Sequence, residues 1–274
     1  MLFAFLVTLR EGFEIALILA IVLGYLARTG NRHHFRAIWA GTGLAMALTA
    51  GVVGVLRLTA AELSGAAREA FEGFIMLAAV AVLTWMVLWM RRQAAGLGGE
   101  LRSQVDVALA HGSVLALAGL AFSAVFREGV ETALFLFAGA TAARADSAAL
   151  FWAGGGAGFV IAAGLGYLIY RGAHVLPMHQ FFTVTGVIVL VVAAGLLSNG
   201  IAELQVSQMI PNLGPRPWDT DALLSLTTTP GKFLHTLVGY DPAPTWGQIV
   251  LFWGYLGAGL GMFFAGARAP RREA

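Results

Sequence analysis

Two stretches place full charges inside long apolar runs. Leu9–Ala20 reads LREGFEIALILA, and Phe126–Phe137 reads FREGVETALFLF. On a helix, Glu11 and Glu14 stand at i and i+3 and share one face, and Arg10 stands four residues before Glu14, close enough to pair. Arg127, Glu128 and Glu131 repeat this spacing. A lone charge at the centre of a bilayer costs about 2.5–3.5 kcal/mol on insertion scales. Six such residues must therefore face one another, water or a cation. Each motif sets two carboxylates against one guanidinium, so two facing motifs carry a surplus of two negative charges and attract a cation.

Carboxylate oxygens suit hard ions such as iron(III), Mn(II), Mg(II) and Ca(II). The chain has no Cys and no ordered series of Met, which argues against a soft ion such as Cu(I). Chemistry alone leaves the choice among hard ions open, and protons with them. The competing explanation is a set of structural ion pairs that only hold helices together. Two copies with surplus negative charge favour a function, because ionisable residues within a membrane are costly to keep otherwise.

The elements that must position these residues are membrane helices. The chain of 274 residues is 58% hydrophobic and 12% charged, where a soluble domain carries about a quarter charged residues. Its mean hydropathy is +0.78. Seven spans of about 20 residues fit a hydrocarbon core roughly 30 Å thick: 2–27, 38–56, 70–90, one within 112–141, 149–170, 181–200 and 246–267. The fold class is thus all-α, a polytopic membrane protein forming a single membrane domain over 1–274. The run before the fourth span, around Leu101–His111, reads as an interfacial helix that breaks at Gly112-Ser113. The first span lacks a basic leader and is interrupted by Arg-Glu, so it reads as a mature helix rather than a cleaved signal peptide. The net charge of +2 comes with no basic face and implies no nucleic-acid partner.

Lys and Arg counts set the orientation. Arg28, Arg32, Arg36, Arg91, Arg92, Arg102, Arg171, Arg268, Arg271 and Arg272 fall on one side; Arg57, Arg68, Arg144, Arg216 and Lys232 fall on the other. The richer side is cytoplasmic, which puts the N-terminus outside and the C-terminus inside. Trp39, Trp85, Trp89, Trp152 and Trp246 fall near span ends, as interfacial anchors do. The external loop 201–245 is rich in proline. In it, Asp219 or Thr220 is expected to cap a short helix through Leu226, and Thr229-Pro230 to open a second. Glu203, Asp219, Asp221, His235 and Asp241 read as caps and solvated turns, and His33, His34, His111, His174 and His179 as interfacial histidines. GGGAG (Gly154–Gly158) and GAGLG (Gly257–Gly261) each contain GxxxG and read as close helix packing or a homo-oligomer face.

The two motifs fall in spans one and four, so the second copy crosses in the opposite sense. That is the pattern of two inverted three-helix halves, 1–90 and 112–200, with the seventh helix at 246–267 added, and such halves hold a substrate site near the midplane between them. Gly12 and Gly129, inside the motifs, are expected to let the two motif helices approach each other.

Two Arg-Glu-Gly-x-Glu motifs in the first and fourth of seven helices resemble the oxidase-dependent iron transporter family, the high-affinity iron permeases. The stretch Phe71–Met90 is similar to that family's third helix, and PRPWDTD (Pro215–Asp221) to its last external loop. Phe13 and Val130 stand where the family often has Leu. The resemblance implies a membrane transporter, not an enzyme, importing iron as its substrate, expected as iron(III), with no tightly bound cofactor. It implies Glu11, Glu14, Glu128 and Glu131 as ion ligands, Glu72 as a further acidic position, and Arg10 and Arg127 as charge-balancing groups. It also implies location in a bacterial inner or plasma membrane, with a periplasmic or external oxidase or iron-delivery protein as partner. The family's acidic external motif is not found here. Alternatives that the residues leave open are a transporter of another metal, such as a divalent ion or lead, a proton-coupled exchanger, and a structural or partner-docking subunit.

Overall fold

A computed structural model describes residues 1–93, 97–111, 113–142, 148–172 and 178–265, with the side chains of 91–93, 97, 178–179, 229 and 236–237 outside the description. Gly112, Arg144, His174, Arg268, Arg271 and Arg272 lie outside the described residues, as do the side chains of Arg91, Arg92 and His179. Among the described residues the regular structure is entirely helical: α1 (Leu2–Arg28), α2 (Phe35–Glu62), α3 (Ala66–Gln93), α4 (Leu97–Ala110), α5 (Val114–Ala142), α6 (Ala148–Tyr170), α7 (Met178–Val206), α8 (Thr229–Val238) and α9 (Trp246–Ala265).

Five of these helices, α2, α3, α6, α7 and α9, are long and apolar enough to cross a membrane, so the chain is a multi-pass membrane protein. α1 and α5 are as long, at 27 and 29 residues. Every stretch of either one that is long enough to cross carries three charged residues, because the motifs sit near their middles. Their burial resolves the conflict: Arg10, Glu11, Glu14, Glu128 and Glu131 are all buried within the bundle, while Trp39, Leu48, Trp85, Val160 and Trp253 are exposed, as lipid-facing side chains are.

The bundle is built from three close pairs, α1 with α6, α2 with α5 and α3 with α7, and α9 lies against α7. Small residues make the pairs close. A Cβ on Gly158 would collide with Thr8 and the Phe5 carbonyl, and one on Gly41 with the Ala118 carbonyl. The Thr8 hydroxyl donates to the Gly155 carbonyl at 2.8 Å across the first pair. The GxxxG of α6 thus packs inside the molecule, whereas Gly257 and Gly261 face open space.

The run expected to form a short separate helix does so as α4, held to α1 by the Tyr25 hydroxyl donating to Asp106 at 2.6 Å. Ser113 then caps α5 by accepting from the Ala116 N–H. The loop between α7 and α9 corrects two expectations. Around Asp219 and Thr220 the chain makes turns rather than a helix: Leu223 and Leu224 N–H both donate to the Thr220 carbonyl, and the Asp219 side chain is taken by its own loop, accepting from Asp221 N–H. The cap of α8 is Thr228, one residue before the expected one, with its hydroxyl accepting from Gly231 N–H. α8 ends at Gly239, whose φ of +65° favours glycine and whose backbone meets Gly195 of α7 so closely that a Cβ on either would collide.

Candidate metal-binding site between α1 and α5

The charged motifs occupy the interior because each helix turns its other faces to close neighbours. Gly12 faces Phe159 and Ala162 of α6, and Gly129 faces Thr49 of α2. This corrects the expectation that the two glycines bring the motif helices together: each fits its helix to a different neighbour, α6 or α2, and the glutamate faces are left to meet.

Glu11 of α1 and Glu128 and Glu131 of α5 each offer an oxygen, and these three oxygens lie within 4.8 Å of one another. Glu11 and Glu128 are each 1% exposed. Among the described residues, both oxygens of Glu11 and one each of Glu14, Glu128 and Glu131 have no hydrogen-bond partner. Leaving such a group unpaired costs about 1–3 kcal/mol, and more when it is charged. Buried carboxylates converging without donors are what a hard cation requires and what a purely structural ion-pair cluster avoids.

The two motifs share a sequence but differ in arrangement. Arg10 Nε lies 3.4 Å from Glu14 Oε1, the i,i+4 pairing that the spacing implied. Arg127 departs from it. Its Nη2 bonds the adjacent Glu128 at 2.5 Å rather than Glu131, and its guanidinium lies over the Trp89 ring, 5.4 Å from the centroid. The Arg127 side chain is 44% exposed, against 2% for Arg10. The expected repetition of geometry holds for Glu11 and Glu128 only: Glu131 joins the group of three while its counterpart Glu14 lies outside it on Arg10, and Arg127 does not pair with Glu131. Trp89 offers an aromatic face to a guanidinium that still donates to Glu128 of the group of three. Trp89 entered the sequence reading only as an interfacial anchor, and its spacing gives no sign of this contact.

Glu72 is outside the group of three. It accepts from Arg68 Nε at 2.7 Å, one turn earlier on α3, and lines a cavity of about 760 Å³ at the C-terminal ends of α2, α5 and α7 and the N-terminal end of α3. Asn199, Glu203, His235 and Asp241 share that lining. His235 is tied to the Tyr240 carbonyl at 2.7 Å, and Asp241 accepts from Ala243 N–H. These two are thus turn-fixing residues that also face the cavity. The cavity reaches Ala133 and Leu136, the next turns of α5 after Glu131.

Comparison with known proteins agrees with this geometry. The model of the iron permease FTR1 family matches residues 1–267. The chain belongs to that family. The family is one of permeases, so the chain is a membrane transporter and not an enzyme. It is 34% identical over 273 residues to the ferrous iron permease EfeU of Escherichia coli O6:H1 (strain CFT073), covering 97% of this chain and 98% of the relative. It is similarly 34% identical to EfeU of Shigella sonnei (strain Ss046), with the same coverage. Identity to EfeU of Yersinia pestis is 33% over 272 residues, covering 98% of this chain and 95% of the relative. No solved structure matches the chain.

Proposed function

We propose that this permease imports iron across a cytoplasmic membrane, and that Glu11, Glu128 and Glu131 coordinate the ion midway. The observation that carries the reading is the approach of three buried carboxylates from two separate helices to within 4.8 Å. Glu14 completes the acidic set from behind Glu11 while neutralising Arg10, and Arg127 adjusts the charge of the site from its perch on Trp89. Glu72 belongs to the outer cavity, where it acts on approaching ions before they reach the site.

Seven crossings in two inverted halves, α1–α3 and α5–α7, fit the contacts. Gly154 abuts the Met1 carbonyl and Gly41 the Ala118 carbonyl, and Met1 and Ala118 each stand ten positions before the first motif glutamate. Eight residues after Gly154 and Gly41, Ala162 meets Gly12 and Thr49 meets Gly129. On the third pair, Gly73 meets Gly200 and its counterpart Gly186 meets Val87. A pseudo-two-fold axis in the membrane plane relates each of these contacts to its mate. α4 then joins the halves, and the excess of Arg beside α4 and at the ends of α1 and α6 places them in the cytoplasm, with the N-terminus outside.

The relatives are named ferrous iron permeases, whereas the motif resemblance implies iron(III). A cluster of carboxylates offers hard oxygen donors to either ion. The test is uptake by the purified chain in liposomes, with iron(II) held reduced, iron(III) held chelated and Mn(II) compared side by side, with and without a pH gradient. Iron uptake that Mn(II) does not match supports the reading. Absence of iron uptake in both oxidation states would defeat it.

A further inference from the structure

The pseudo-two-fold axis makes an unused comparison available, between the outer path to the glutamates and its inner counterpart. On the outer side Asn199 and Glu203 line the cavity. Their counterparts by the register that pairs Gly73 with Gly186 are Met86 and Met90. Both are buried in one apolar cluster with Phe13, Leu17, Phe182 and Val189. The same register pairs Arg68, which also lines the cavity, with Phe181. The Phe13 ring, beside Glu14 in the first motif, lies 4.4 Å from that of Phe181 and 6.1 Å from that of Phe182, centroid to centroid. Polar cavity-lining positions on one side thus correspond to packed apolar side chains on the other.

We propose that Phe13, Phe181 and Phe182, backed by Met86, Met90 and Val189, form the cytoplasmic gate of the transporter, a hydrophobic plug that must part before the ion leaves the glutamates inward. The assignment rests on the transport reading above for its direction. A constriction lined only by apolar side chains blocks ions by excluding water, without a charged latch. The surrounding chemistry fits a moving part. The three rings come from two helices of opposite halves, α1 and α7, so rocking one half against the other separates them. The plug also explains the place of Phe13, since a large ring within the motif has no role as a ligand.

The chain has no Cys, so single thiols report water access without background. Glu203→Cys and Val189→Cys place thiols on the two sides, the first half-buried at the cavity and the second in the apolar cluster. A membrane-impermeant maleimide is applied to right-side-out and inside-out vesicles carrying the full chain. Glu203→Cys should label from outside. Val189→Cys should label from the cytoplasmic side at least about tenfold more slowly, as expected when the inward-open form is a minor population of about 0.1–10%. Adding Phe181→Ala, or Phe181→Ala with Phe182→Ala, should raise Val189→Cys labelling about tenfold from the cytoplasmic side only. Equal labelling of the two thiols in the otherwise unaltered protein, or no rise on removing the Phe181 ring in protein that remains monodisperse, would overturn the gate. Because labelling needs no iron, a failed gate and a failed iron reading give separate results.

Discussion

The Arg127 guanidinium rests over the indole of Trp89, 5.4 Å from the ring centroid, while Arg10, at the same position of the first motif, stays buried beside Glu14. The repeated sequence thus holds one arginine inside the site and one at its edge. If the glutamates hold the transported ion, the Trp89 contact limits how far Arg127, bonded to Glu128, competes with it. A cation–π contact at a partly exposed position is worth about 0.5–1 kcal/mol, or roughly two- to fivefold in an equilibrium. Trp89→Leu should raise the KM for iron by about that factor, and Trp89→Tyr should restore most of it. Uptake at graded iron concentrations reads both.

The three converging glutamates and Glu14 should separate in mutants. Glu11→Gln, Glu128→Gln or Glu131→Gln should leave a folded, inserted protein with uptake reduced by about two orders of magnitude, as expected when a buried charged ligand worth about 3 kcal/mol is lost. Glu14→Gln strands Arg10 as an unpaired buried charge, which costs about 3–5 kcal/mol. It should therefore act mainly on the yield and melting temperature of the protein, and Arg10→Met in the same chain should recover part of both. Size-exclusion profiles and thermal melts in detergent, taken beside uptake, distinguish the two effects.

Glu72 lines the 760 Å³ cavity and shares its charge with Arg68 across 2.7 Å. It should influence how ions reach the site and not how they are held there. Glu72→Gln should raise KM severalfold while leaving the maximum rate near that of the unaltered protein. A fall in maximum rate comparable with that of Glu11→Gln would move Glu72 into the central site.

Helix contacts give a further check. A Cβ on Gly41 would run into the Ala118 carbonyl, a backbone atom that cannot swing aside. Gly41→Ala should destabilise the protein by about 1–3 kcal/mol, the range for overpacking. Gly43, two residues on, faces open space. Gly43→Ala should be neutral or stabilising by up to about 1 kcal/mol, since alanine is the better helix former. Paired thermal melts in one detergent measure the difference.

Much of this was written in the sequence, for identifiable reasons. Membrane helices declare themselves by length and apolar composition, and the i,i+3 spacing of Glu11 with Glu14 and of Glu128 with Glu131 fixes a shared face. The same spacing anticipated the Arg10–Glu14 pair, and the overlong fourth apolar stretch anticipated a separate helix at α4. What the sequence did not disclose depends on packing between segments far apart in the chain. Spacing cannot say that Arg127 takes Glu128 and Trp89 instead of Glu131, that Gly12 and Gly129 face α6 and α2, or that Phe181 packs against Phe13. The loop misreadings are local: Asp219 and Thr220 have capping side chains, but only one turn follows, and the cap of α8 falls one threonine earlier, where the Thr228 hydroxyl accepts from Gly231 N–H.

The central claim is that Glu11, Glu128 and Glu131 hold one iron ion together. It is tested most directly by equilibrium binding of iron(II) and iron(III) to the purified, metal-free protein and to the three single Gln variants, each shown monodisperse. The account predicts one ion per chain at the buried site, lost in every one of the three variants. Retention of that ion with unchanged affinity in any one of them would contradict it.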